Sequence, residues 1–65
     1  MRELDVMLNR YLDRAWSVAS TPERDAFLQL VELQDPELFG YLVGRDSPAE
    51  EQQRAVIAAI RQLGP

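Results

Sequence analysis

STPERDAFLQLVELQDPELFGYLVGRDSPAE, residues 20–50, carries one signal three times. Ser20-Thr21-Pro22-Glu23, Asp35-Pro36-Glu37 and Ser47-Pro48-Ala49-Glu50 each set a short polar side chain ahead of proline, with an acid close behind. A polar cap oxygen accepts from one of the unpaired N–H groups at a helix start. Proline costs nothing in the first turn, because its missing donor would have had no partner there. The acid complements the positive end of the helix dipole. Ser47 and Glu50 also have the spacing of a capping box. The three stretches predict helix starts near residues 22, 36 and 48. Gly44 and Gly64 follow apolar runs and fit helix C-terminal caps.

The segments between these signals repeat at helical spacing. A first helix over roughly 2–16 places Leu4, Met7, Leu8, Tyr11, Leu12 and Ala15 on one face. A second, over 22–33, offers Phe27, Leu30, Val31 and Leu28. A third, over 36–43, offers Leu38, Phe39, Leu42 and Val43. A fourth, over 48–63, offers Ala49, Val56, Ile60 and Leu63, with Ile57 at the edge; Glu50 and Arg54 are spaced as an i,i+4 pair. No stretch alternates as a strand would. The expected fold is all-α, a small four-helix bundle forming one domain over residues 1–65.

The 65-residue chain has neither cysteine nor histidine. A chain of this size buries only about 60% of its unfolded surface, so its core is thin. Thiolate chemistry, histidine-based catalysis and the usual zinc sites have no residues to work with. The net charge is −4 and falls wholly within residues 17–44, where Arg24 is the only base among five acids. That balance disfavours nucleic acid and anionic membranes. A small helix-turn-helix DNA binder is a further alternative; against it stand the acidic balance and the want of a basic recognition helix, since 48–63 balances two arginines against two glutamates. No apolar run reaches the length of a membrane span, and no signal peptide is visible, so the expected location is the cytoplasm.

Carboxylates are the only acid–base candidates. Glu3, Asp5, Glu32, Asp35 and Glu37 are each explained more simply by a solvated face or a cap, Asp35 by the latter. No DxDxDG loop or glycine-rich phosphate loop occurs. Trp16, Phe39 and Tyr41 read as core or rim. One feature of the first helix does not fit a plain solvated face. Val6 lies off the apolar stripe, among Arg2, Asn9, Arg10 and Asp13. An apolar side chain ringed by charges has the character of a docking spot.

Met1-Arg2-Glu3-Leu4-Asp5 and Asp35-Pro36-Glu37-Leu38-Phe39-Gly40-Tyr41-Leu42 together resemble a known pattern. It is that of the small FAD assembly factors for succinate dehydrogenase, the bacterial relatives of the mitochondrial assembly factor. The family hallmark is RGxRE-LD on the first helix, followed later by D-P-[ED]-L-F-x-[WY]-L. The resemblance covers roughly residues 1–63. It implies a five-helix bundle, one helix or turn more than is read here. The hallmark's Arg-Gly pair has no counterpart ahead of Met1, so the family's N-terminal helix is expected here in truncated form.

The resemblance also implies a function. The protein would be an assembly factor or chaperone, not an enzyme. It would bind the flavoprotein subunit of succinate dehydrogenase or fumarate reductase and promote covalent attachment of FAD to a histidine of that subunit. FAD would be carried by the partner, with none bound stably by this chain and no metal. Arg2, Glu3, Asp5 and Val6 would be partner-binding residues. The alternative reading is a generic helical interaction module of an antitoxin-like kind.

Overall fold

A computed structural model describes residues 2–63 as α1 (Arg2–Arg14), a 3₁₀ turn (Trp16–Val18), α2 (Thr21–Val31), α3 (Asp35–Leu42) and α4 (Glu51–Gln62). The described residues contain no strand. The all-α bundle read from the sequence is the fold observed, with one short 3₁₀ turn more than the periodicity gave.

α4 is the central element and packs against α1, α2 and α3. Its Val56, Ile57 and Ile60 are buried, and they meet Leu4 and Tyr11 of α1, Ala26, Phe27 and Leu30 of α2, and Leu38 and Leu42 of α3 in one core cluster. No charged or polar residue is buried among the described ones. The core is therefore held by apolar area, with each fully buried Leu or Ile contributing about 1.5–3 kcal/mol. The Gln53 amide donates to the Gln29 side-chain oxygen at 2.9 Å and ties the exposed edges of α4 and α2 together.

The three expected caps fare differently. Ser20 is a cap in full: its Oγ accepts from the Glu23 N–H at 3.3 Å and donates to the Glu23 carboxylate at 3.1 Å. At the second site α3 begins at Asp35 itself, and the capping position falls on Gln34, whose side chain makes no cap bond. At the third site the expectation is overturned. α4 begins at Glu51, not near Pro48, and the cap residue Glu50 makes no side-chain bond. Ser47 caps nothing, and the Ser47–Glu50 capping box does not form. Pro48 is buried in the connection. Arg54 donates from one Nη to the Pro48 and Ala49 carbonyls, at 3.1 and 2.6 Å. In a helix starting at residue 48 the Pro48 carbonyl would accept from the N–H four residues on. Here the Arg54 side chain takes that acceptor, which replaces the expected Glu50–Arg54 ion pair.

Gly44 ends α3 as expected. It sits at φ +82°. Its N–H donates to the Tyr41 carbonyl at 3.2 Å, and the Arg45 N–H reaches the Gly40 carbonyl at 2.9 Å. This bond pair is the Schellman motif, which needs a left-handed residue at this place. The other expected cap, Gly64, lies outside the described residues.

The apolar stripes also need trimming. Leu12, Leu28, Val31 and Val43, all assigned to core faces by spacing, are exposed. Ala49, expected on the α4 stripe, is exposed in the connection. Ile57, expected at an edge, is buried, and so is Ala26, which the spacing had passed over. A thin bundle of short helices buries a narrower arc of each helix than its full apolar stripe.

Candidate partner-binding face

The first helix stands on two anchors. Leu4 and Tyr11 are each 1% exposed and fix its inner side, with Met7, Leu8 and Ala15 partly buried around them. The Tyr11 ring stacks on Phe27 of α2, centroids 4.7 Å apart. Trp16, in the 3₁₀ turn, meets Phe27 edge-on at 5.7 Å. Arg24 of α2 closes this corner. Its guanidinium lies 5.2 Å from the Trp16 ring centre, its Nε donates to the Trp16 carbonyl at 2.9 Å, and an Nη donates to the Ser17 carbonyl at 3.2 Å. A cation over an indole face is attracted by the ring quadrupole. Arg24, read from the sequence only as the one base of the acidic middle, thus fixes how α1 enters α2. Trp16 is a rim residue of the core, as its place at the end of the apolar stripe suggested.

With the inner side anchored, the outer side of α1 is fully presented. Arg2, Glu3, Asp5 and Val6 are all exposed, with Val6 at 47%. Successive side chains of a helix are turned about 100° apart, so Leu4 turns inward while the residues on either side of it face solvent. Asn9 and Asp13 continue the exposed strip. The sequence reading missed Leu12, which it had assigned to the core. It is 43% exposed and adds a second apolar side chain to the outer side of α1. Its signal was its place at the margin of the stripe.

The other candidate acids lie outside α1. Glu32, Asp35 and Glu37 are exposed on α3 and the turn before it, remote in sequence from Glu3 and Asp5. Among the described residues no group of three or more acids is placed to hold a metal ion. No described helix is long and apolar enough to cross a membrane. Burial raises the Tyr11 phenol above its ordinary value of 10.0; Glu23 raises it further and Arg24 opposes the shift.

The fold and site define a small helical bundle that presents a mixed charged and apolar helix face on a rigid apolar core. Comparison with known proteins gives that class a family. Residues 1–64 match the family described as "Flavinator of succinate dehydrogenase", and the chain belongs to it. The chain is similar to the FAD assembly factor SdhE of Xylella fastidiosa (strain 9a5c), at 38% identity over 63 residues, 97% of this chain and 65% of that protein. The FAD assembly factor SdhE of Coxiella burnetii is 32% identical over 63 residues, covering 97% of this chain and 77% of that one. That of Yersinia pseudotuberculosis is 30% identical over 61 residues, covering 94% and 69%. The chain thus spans 65% of the length of its Xylella relative. No solved structure matches it significantly.

Proposed function

We propose that this protein is an assembly factor that binds the flavoprotein subunit of succinate dehydrogenase, or of the related fumarate reductase, and promotes covalent attachment of FAD to it. The observation that carries the reading is the family match over residues 1–64. The outer face of α1 supports it, because the hallmark residues Arg2, Glu3 and Asp5 stand there in solvent beside Val6.

The chain has no histidine or cysteine of its own to become flavinylated or to act as a nucleophile. That agrees with the family reading, in which the reacting histidine and the flavin belong to the partner. The helper's contribution is conformational. Bound through α1, it holds the subunit so that histidine and flavin meet in reacting geometry, and orientation of this kind lowers a barrier by several kcal/mol without any catalytic group from the helper. Arg2 and Glu3 supply charge-assisted hydrogen bonds to the partner, and Val6 supplies a small apolar contact. FAD stays with the subunit throughout.

The test is direct binding. Calorimetric titration of the purified flavoprotein subunit with this chain gives a saturable complex. Glu3→Ala weakens it about tenfold, the loss of one charged hydrogen bond, while the circular dichroism of the variant is unchanged. Equal binding by Glu3→Ala and wild type would remove α1 from the interface.

A further inference from the structure

We infer that the cleft between α3 and α4 is a second contact site, built to receive one carboxylate side chain of a protein partner. The cleft exists because α4 starts late. The Schellman turn at Gly44 lifts the chain off α3, and Arg54 grips the Pro48 and Ala49 carbonyls, so the connection bows out instead of continuing as helix. The opening has a volume of about 190 Å³. Its apolar lining comes from Tyr41, Pro48, Ile57 and Ala58, and its charged lining from Arg54, Arg61 and Asp46.

Charge and size select the occupant. The protein as a whole is at −4, yet this cleft holds two guanidinium groups against one carboxylate. A lining of net +1 complements a monoanion, whereas a phosphate dianion would bring a second negative charge into a cleft that already holds the Asp46 carboxylate. Arg54 has committed one Nη to the connection and keeps its other donors. Arg61 lies with its guanidinium against Gly44, 3.3 Å from where a Cβ would stand, and no hydrogen bond joins that guanidinium to another described residue. Its fork of donors fits a carboxylate. The Tyr41 and Ile57 side chains are placed to cover the methylenes behind such a group. A space of this volume holds one long side chain, not a folded element. The identity of the partner rests on the assembly reading above; the chemistry of the cleft does not.

Two measurements test the site. In the first, ¹⁵N-labelled protein is titrated at constant ionic strength with N-acetyl-glutamate amide, N-acetyl-glutamine amide and inorganic phosphate. The glutamate derivative shifts the resonances of Tyr41, Arg54 and Arg61 saturably, the glutamine derivative does not, and Arg61→Gln abolishes the response. No shift with the glutamate derivative, or a stronger response to phosphate, overturns the proposal. Stability is not the readout, since a cation near a helix C-terminus is favourable on its own account. In the second, the flavoprotein subunit binds Arg61→Glu about tenfold more weakly than wild type, with a loss that shrinks as salt is raised. Equal binding would remove the cleft from the interface and leave the assembly reading intact. A glutamate response in the cleft with no binding of the subunit to wild type would retain the carboxylate site and sink the assembly reading.

Discussion

Tyr11 and Phe27 lie nearly parallel, ring planes 13° apart and centroids 4.7 Å apart, and this stack joins the helix that carries the candidate interface to the body of the bundle. The Tyr11 hydroxyl is buried without a hydrogen-bond partner among the described residues. The residue is present for its ring, and its oxygen is a cost, because an unpaired buried hydroxyl has lost its water. Tyr11→Phe is therefore expected to be neutral or to stabilise by up to about 1 kcal/mol. Phe27→Ala should cost about 3–5 kcal/mol. In a domain of this size each kcal/mol moves the midpoint by about 4–8 °C, so thermal unfolding followed by circular dichroism separates the two. A clear loss of stability in Tyr11→Phe would mean that the hydroxyl has a partner in solution.

The same tyrosine sets a pH dependence. Burial, aided by Glu23, holds its folded-state pKa above the 10.0 of the unfolded chain. Between those two values the folded protein binds the proton more tightly than the unfolded one, so stability falls as pH rises above about 10. Below 10 this contribution is constant. Tyr11→Phe removes that part of the slope. Urea midpoints measured from pH 8 to 11 on both proteins check it; parallel curves would contradict it.

The two serines ahead of proline give opposite expectations. Ser20→Ala removes a formed cap and should cost about 1 kcal/mol. Ser47→Ala should change stability by less than about 0.5 kcal/mol, because Ser47 is exposed and caps no helix. Equal losses at the two sites would show that α4 begins at Pro48 in solution after all.

Gly44 and Gly40 separate in the same way. Gly44→Ala forces a side chain into a left-handed backbone and should cost about 1–2 kcal/mol. Its Cβ would also press on the Arg61 guanidinium at 3.3 Å. Gly40 is buried inside α3, where alanine is the better helix former by about 1 kcal/mol. A Cβ there meets the end of Arg45 at 2.8 Å and the Asp46 carboxylate at 3.1 Å, both on exposed side chains that can swing aside. Gly40→Ala should lie within about 1 kcal/mol of wild type. Chemical denaturation of the two variants decides it.

Local signals in the sequence were enough for the helix types and for most of the core. Ser20 and Gly44 act within a few residues of themselves, so their roles could be read directly. Leu4, Phe27, Leu38 and Ile60 recur at helical spacing and are buried. What escaped depends on distant contacts. Pro48 looks like the other two helix starts, yet Arg54 and burial of its ring hold it in a loop. Arg24 looked like a stray base, yet it binds two carbonyls of the preceding turn. Leu12 satisfies the periodicity and is exposed only because too little of the bundle reaches it. At the candidate interface the exposure of Val6 followed from the helical wheel. The meaning of Arg2, Glu3 and Asp5 did not, since exposed charges on a helix have no chemistry of their own until a partner is present.

The most direct measurement is a flavinylation assay on the purified flavoprotein subunit. The subunit is incubated with FAD, with or without this chain, then denatured and run on a gel, and flavin fluorescence retained by the subunit band is read. The account predicts a clear gain in covalent flavin with the chain present, and a gain about tenfold smaller with Glu3→Ala, the value of one charged contact. The same low fluorescence with and without the chain, on a subunit shown to bind it, would contradict the assembly role.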